Sequence, residues 1–236
     1  MKKVVLMALC VGMVASLAQA AFIVETHTSG KAFANFASTS GVPSYSIKCT
    51  APGLQATNTA YGGNGTIDEW TYSYTPGVNA DNTVFAVGDT LGTHRLDSSM
   101  VLTAENQLAT GMVGGGSGTY KVFITWPTTG NANAAGSKIT ITSDGAPIEL
   151  NPVSQNGDES FPATWTEVGN AGENKWLCIG TVQLTAGNTY KVVQLANATT
   201  FVSQRSGGVM WEMVPEPAAA VLLGLGSVLF ARRRRA

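Results

Sequence analysis

Alternation of side-chain type with a period of two is the feature that most constrains the fold of this chain. It is clearest in Trp-Thr-Tyr-Ser-Tyr-Thr at residues 70–75, where an extended chain places three aromatic rings on one face and three hydroxyls on the other. Similar runs occur at residues 120–126, 139–142, 176–184, 190–195 and 209–213, with turn residues between them. No stretch of the body has a convincing helical period. The pattern predicts an all-β sandwich or jelly roll.

Two segments between these runs have the composition of hairpin turns. Asp144-Gly145 follows the run at 139–142 and is a strong hairpin signal. Thr185-Ala186-Gly187-Asn188 separates the runs at 176–184 and 190–195. We expect each of the two segments to join strands that pair with each other.

The first 20 residues have the form of a secretory signal peptide. Lys2 and Lys3 precede an apolar run at residues 4–17, and Ala18-Gln19-Ala20 is a small-x-small cleavage site. The segment predicts export through the Sec translocon and removal by signal peptidase. The mature chain would then begin at Ala21.

The last 23 residues, 214–236, form a second targeting segment, which has three parts. They read Val214-Pro215-Glu216-Pro217, then an apolar run at residues 218–231, then Arg232, Arg233, Arg234 and Arg235. Fourteen helical residues span roughly 21 Å, which is short of the ~20 residues that usually cross a bilayer. Snorkelling arginines and a thinned bilayer still allow a marginal span. The arginines would stay in the cytoplasm and the body outside.

These three parts, in this order at the C-terminus, resemble the PEP-CTERM sorting signal. The resemblance implies a transient stay in the inner membrane, cleavage by exosortase near the Pro-Glu-Pro motif, and a final place at the cell surface or outside the cell. Proteins with this signal are commonly associated with exopolysaccharide, so an extracellular polysaccharide is an implied partner. A plain single-pass anchor is the alternative, and it predicts that the mature protein keeps Arg232 to Arg235.

The body, residues 21–213, is long enough for one β domain with a substantial core. Of 14 basic residues, 2 lie in the first segment and 4 in the tail, whereas all 15 acidic residues lie in between, so the body carries a charge of about −7. An acidic domain with few charges argues against binding to nucleic acid, which needs a basic patch.

A second resemblance covers most of the body. Phe22-Ile23-Val24-Glu25 with Ser29-Gly30, then residues 118–127, then Trp176-Leu177-Cys178-Ile179-Gly180 with residues 184–187, resemble the golvesin C-terminal-like domain. The resemblance implies a single jelly-roll, galactose-binding-like sandwich, and it implies no ligand. This chain departs from the family pattern at residues 207–211 and has a longer segment at 42–92.

Cys49 and Cys178 are the cysteines of the body, and export would place them in an oxidising compartment. A disulfide between them would close a long loop and stabilise the fold. Two buried thiols are the other alternative, and the sequence leaves both open.

Five tryptophans suggest stacking against sugar rings. Trp70, Trp126, Trp176 and Trp211 lie in predicted strands, where a large ring belongs to the core. Trp165 lies in the loop-like stretch 161–172, and for it a glycan contact and a core position are both open.

No pattern of catalytic or metal-binding residues is present. His27 and His94 lack the partners that a triad or a zinc site needs. We expect Asp68-Glu69 and Asp158-Glu159 to be solvated turn acids, although a calcium ion near residues 62–68 is a minor alternative. We therefore expect no cofactor, no metal and no enzymatic activity. The sequence favours an exported structural or adhesive protein, with a carbohydrate-binding module that has a specific glycan site as the alternative.

Overall fold

The structure is a computed structural model of the whole chain. It describes residues 21–40, 44–56, 58–63, 68–83, 115–128, 137–153, 155, 173–196 and 203–214. The predicted signal peptide, at residues 1–20, and the tail from Pro215 onwards lie outside these ranges. No helix within the ranges is long and apolar enough to span a membrane.

Strands make up nearly all the regular structure of these residues. They are β1 (Ala21–Glu25), β2 (Phe36–Ser38), β3 (Ser44–Tyr45), β4 (Ala60–Gly63), β5 (Asp68–Tyr74), β6 (Gly118–Thr125), β7 (Ser137–Ile141), β8 (Ile148–Val153), β9 (Leu177–Leu184), β10 (Tyr190–Ala196), β11 (Ser203–Ser206) and β12 (Gly208–Met213). One turn of 3-10 helix, Phe33–Asn35, precedes β2.

The strands form two main sheets and a small one. The first has the order β1-β12-β6-β9, the second β2-β5-β10-β7-β8, and the small sheet β11-β4-β3. Neighbouring strands in all three sheets are antiparallel. The prediction of an all-β sandwich is confirmed.

The main core lies between the two large sheets. In β5 burial alternates, so that Trp70, Tyr72 and Tyr74 are buried whereas Glu69 faces solvent. Tyr74 stacks on Phe22 at 5.0 Å and on Trp211 at 5.5 Å between ring centroids, which joins the two sheets. Each such ring removes a large apolar area from water and adds a geometric preference of about 0.5–1.5 kcal/mol per pair.

A second apolar cluster covers the outer face of the first sheet. Ile23, Phe123 and Met210 project from that face and pack beneath a segment at residues 49–54. The Trp176 indole N–H donates to the Pro52 carbonyl at 2.8 Å, which holds the segment down. Because this sheet is covered on both faces, β1 is buried along its whole length and does not alternate.

One of the two predicted hairpins is confirmed and the other is wrong. Strands β7 and β8 pair around Asp144-Gly145, with Ile141 opposite Ile148. Strands β9 and β10 do not pair, because β9 pairs with β6 in the first sheet and β10 pairs with β5 and β7 in the second. The segment at 185–189 is therefore a crossing between the two sheets.

Candidate functional site: a polar cleft at one end of the sandwich

An open cleft of about 600 Å³ lies at one end of the sandwich, lined by residues 142–144 and 187–191. One wall is the turn between β7 and β8, and the other is the crossing between β9 and β10. The β7–β10 pairing brings the two walls together, with Ile141 opposite Val192. The lining therefore combines residues that lie more than 40 positions apart in the sequence.

Asp144 is the fixed acceptor of the cleft. The Tyr190 hydroxyl donates to its Oδ1, and the Thr185 hydroxyl donates to its Oδ2 at 3.0 Å. The Asp144 backbone N–H donates to the Gln183 carbonyl at 3.0 Å. Because each carboxylate oxygen accepts two hydrogen bonds, both oxygens keep one acceptor position for a ligand.

The remaining lining is neutral and polar apart from one cation. Three hydrogen bonds join Thr142 to the Lys191 backbone, and in one of them the Thr142 hydroxyl accepts the N–H of Lys191 at 2.6 Å. The hydroxyls of Thr189 and Thr75 lie 2.8 Å apart. Asn188 and Lys191 are exposed. Carboxylate, amide, hydroxyl and ammonium groups are suited to the hydroxyls of a sugar, and Tyr190 is only 4% exposed and offers no stacking face.

The sequence singled out Asp144-Gly145 as a turn and did not assign it to a site. Its partners in the cleft come from β10, and no local motif records a pairing between distant strands. The cleft was therefore missed by the sequence analysis.

The prediction that the four strand tryptophans are core residues is confirmed. Trp70, Trp126 and Trp176 are 0% exposed and Trp211 is 1% exposed. Trp165 lies outside the described residues, so its role as a glycan contact stays a prediction.

The expectation that Asp68 is a solvated turn acid is wrong. Asp68 is 3% exposed at the start of β5. Its carboxylate accepts the hydroxyls of Ser38 and Ser40 at 2.8 and 2.7 Å and the Trp70 indole N–H at 2.8 Å. Burial opposes ionisation, but these hydrogen bonds together outweigh it and lower the pKa of Asp68. The carboxylate is a structural acceptor that fixes residues 38–40 against β5.

Both body cysteines are buried thiols in the cluster on the outer face of the first sheet, and no disulfide joins them. Of the two alternatives that the sequence leaves open, a disulfide or two buried thiols, the structure shows two buried thiols. The Cys49 sulfur lies 3.3 Å from the Thr125 hydroxyl, and burial raises the pKa of the Cys49 thiol. A raised pKa lowers the reactive thiolate fraction.

The other candidate residues form no catalytic group in the described ranges. His27 Nδ1 lies 2.8 Å from the Ser29 hydroxyl, and the ring meets the edge of Tyr45. Within those ranges no three His, Cys, Asp or Glu side chains are placed to hold a metal ion. Further predictions concern residues outside those ranges, namely His94, Asp158-Glu159, residues 64–67, Ala18, Ala20, Pro215 to Pro217 and Arg232 to Arg235.

No family model matches the chain, and no curated protein matches it. The structure is similar to a Paenibacillus xanthan lyase, with a TM-score of 0.46, 16% identity and coverage of 83% of this chain and 13% of the lyase. It is also similar to a CBM35 from Cellvibrio japonicus Abf62, with a TM-score of 0.36, 13% identity and coverage of 83% of this chain and 94% of the module. At these scores neither likeness bears on activity, and the two family resemblances stay predictions.

Proposed function

We propose that this chain is an exported, non-enzymatic protein of the cell surface or extracellular matrix, processed at its C-terminal signal by exosortase. One observation carries the proposal: the first and last described strands of the sandwich lie directly inside the two predicted signals. Strand β1 begins at Ala21, directly after the predicted cleavage site, and β12 ends at Met213, directly before the Val214 motif. An exported substrate of this kind requires a folded domain that neither processing step cuts.

The buried acids support a structural role for the sandwich. Glu25 is 0% exposed, and its carboxylate accepts the backbone N–H groups of Lys31, Gln55 and Ala56 at 3.1, 2.8 and 2.6 Å. Glu25 thus ties two loops to the end of β1, as Asp68 ties residues 38–40 to β5. The carboxylate oxygens of both residues accept hydrogen bonds from the protein's own backbone and side chains, which favours a structural role over acid–base catalysis.

The processing step can be tested by replacing Pro215, Glu216 and Pro217 together with alanine in the native host. We expect the altered chain to accumulate in the inner membrane and to disappear from the medium, because the tail helix would stay attached. Glu69→Ala, on the exposed face of β5, is the control and should be distributed as wild type. An unchanged distribution of the triple variant would exclude processing at this motif.

The polar cleft favours a second candidate, a glycan site of the carbohydrate-binding kind. Its support is the Asp144 carboxylate, which keeps two acceptor positions beside the exposed Asn188 and Lys191. A site built to hydrogen-bond sugar hydroxyls loses affinity when one of its polar groups is removed.

Affinity electrophoresis against the host's exopolysaccharide tests this candidate. Wild type should be retarded saturably, and Asp144→Ala and Lys191→Ala should each weaken binding by about tenfold, the equivalent of one charge-assisted hydrogen bond. Lys138→Ala is the control, because Lys138 is exposed on the neighbouring strand and pairs with Glu149 at 3.3 Å. Unretarded wild type, or retardation that both cleft variants keep, would exclude a glycan site here.

A further inference from the structure

The two ends of the described sandwich emerge at the same place. Strands β1 and β12 are antiparallel neighbours, with Ala21 opposite Glu212. The Val214 N–H donates to the Thr119 carbonyl at 2.8 Å, so the sheet still holds the chain one residue before Pro215. Both predicted processing sites therefore lie at one end of the first sheet, which we call the processing end.

The length of chain beyond Val214 limits how far this end can lie from a membrane. Three residues, 215–217, lie between Val214 and Ala218, where the apolar run begins, so the connection has four Cα–Cα steps. A fully extended chain covers at most ~3.6 Å per residue, so this connection reaches about 14 Å. If the tail inserts, the processing end is kept near the headgroups.

The loops at this end are depleted in charge. They are residues 75–79, 115–117, 143–147 and 185–189, in which Asp144 is the one charged side chain. The adjoining segment at 80–83, which pairs with Ala21, adds Asp81. Hydrogen bonds join the loops to one another, since Ala186 N–H donates to the Ser117 hydroxyl and Gly187 N–H to the Pro76 carbonyl. Val78, 65% exposed, projects from the first of them.

The segments at the opposite end of the sandwich carry more charge. Glu173 and Lys175 precede β9, and Glu69 lies at the start of β5. Neutral polar loops with an exposed valine can approach a lipid surface without desolvating ions. An acidic body meets the least electrostatic opposition from an anionic surface when its least charged end approaches.

We infer that the unprocessed protein rests with its processing end against the outer face of the inner membrane, so that the polar cleft is covered until the tail is cut. The cleft belongs to this end, because Asp144 and Thr185 lie beside the last residues of β9. The inference rests on the proposed membrane insertion of the tail. Processing would then release the protein and open the cleft in one step.

Cysteine labelling tests the orientation on the full chain. Asn188→Cys places an exposed thiol in the cleft, and Lys175→Cys places an exposed thiol near the other end, beyond the ~26 Å length of β6. Cys49 and Cys178 are buried and give little background. Both variants carry alanine in place of Pro215, Glu216 and Pro217, so that the tail is not processed. The labelling rate of each is measured on spheroplasts with a polyethylene-glycol maleimide that does not cross membranes. Equal melting temperatures confirm that both fold.

The reference is the same full-length chain with Leu222, Leu223 and Leu225 replaced by aspartate, whose tail cannot insert. We expect the labelling rate of Asn188→Cys relative to Lys175→Cys to be several-fold lower in the inserted chain than in this reference. Equal ratios would overturn the orientation while leaving the sorting proposal intact. Recovery of the processing-deficient chain in the soluble fraction would overturn insertion itself, and with it both proposals.

Discussion

At the scale of single residues, the buried acid Asp68 has the clearest energetic role. We predict that Asp68→Asn lowers the free energy of unfolding by about 2 kcal/mol, because it weakens several charge-assisted hydrogen bonds from buried donors. Glu69→Gln is the matched control: its side chain points into solvent from the adjacent position, so its effect should stay within about 0.5 kcal/mol. Urea denaturation of the two variants measures both values, and equal values would contradict the role of Asp68.

The same residue predicts a dependence on acid. The pKa of Asp68 is lower in the folded protein than its ordinary value of 3.8, so its contribution is complete above that value and is lost as the pH falls through the folded pKa. Wild type should therefore lose stability below about pH 4 relative to Asp68→Asn. A stability difference between the two proteins that does not change from pH 7 to pH 2 would contradict this.

Asp81 makes the stability depend on pH in the opposite direction to Asp68. Burial raises the pKa of Asp81 to about 6 from 3.8, so the folded state favours the protonated acid. Its contribution is favourable at low pH and is lost as the pH rises from about 4 to about 6. Asp81→Asn should therefore stabilise the protein at pH 7, by about 1 kcal/mol after allowance for partial solvation, and give no gain at pH 4. Thermal unfolding at both pH values checks this, and an equal gain at both would contradict it.

At the residue scale, the burial of apolar side chains could be predicted from the sequence more accurately than the burial of polar ones. Trp70, Tyr72 and Tyr74 share a face because a strand has a period of two, and that period is visible in the sequence. Asp68 was misjudged because its burial depends on residues 38–40, which reach it through the pairing of β2 with β5. Distant partners of this kind leave no local signal.

At the scale of the elements, the free edge of the first sheet is protected by one side chain. The Asn82 side chain accepts the Ile23 N–H at 2.9 Å and donates to the Ile23 carbonyl at 2.7 Å, as a neighbouring strand would. Thr83 forms an isolated bridge with Ala21 beside it. An unprotected strand edge is a site for pairing with another chain.

We predict that Asn82→Ala costs about 1–2 kcal/mol, because it leaves two backbone groups of β1 without their partner. Asn82→Asp should cost as much, since a carboxylate can accept from Ile23 but cannot donate to its carbonyl. Amide hydrogen exchange at Ile23 should become faster in both variants, whereas exchange at Tyr72 in the other sheet should follow only the change in global stability. Unchanged exchange at Ile23 would contradict the role of Asn82.

Strand positions were predictable and strand partners were not. The turn composition at 144–145 and at 185–188 is similar, yet the first joins paired strands and the second crosses between sheets. The difference lies in anchors outside the segment: Ser117 at the start of β6 and Pro76 after β5 hold the crossing. The cleft depends on the same pairings and was missed for the same reason.

At the scale of the whole molecule, the antiparallel pairing of β1 with β12 relates the fold to the proposed processing. It places Ala21, the predicted start of the mature chain, beside the end of β12, so the two predicted signals would leave the sandwich from one end. Since Val214 is still hydrogen-bonded to the sheet, a cut beyond it would leave β12 intact. The fold is thus compatible with removal of both ends without loss of the core.

The measurement that tests the central claim most directly is the intact mass of the protein from its native host, taken separately from the envelope and the medium. The account predicts a species that begins at Ala21 and ends beyond Val214, close to Pro217, with any attached glycan or lipid visible as added mass. A mature protein that still carries Arg232 to Arg235 would contradict it, because the tail would then be a permanent anchor and not a sorting signal.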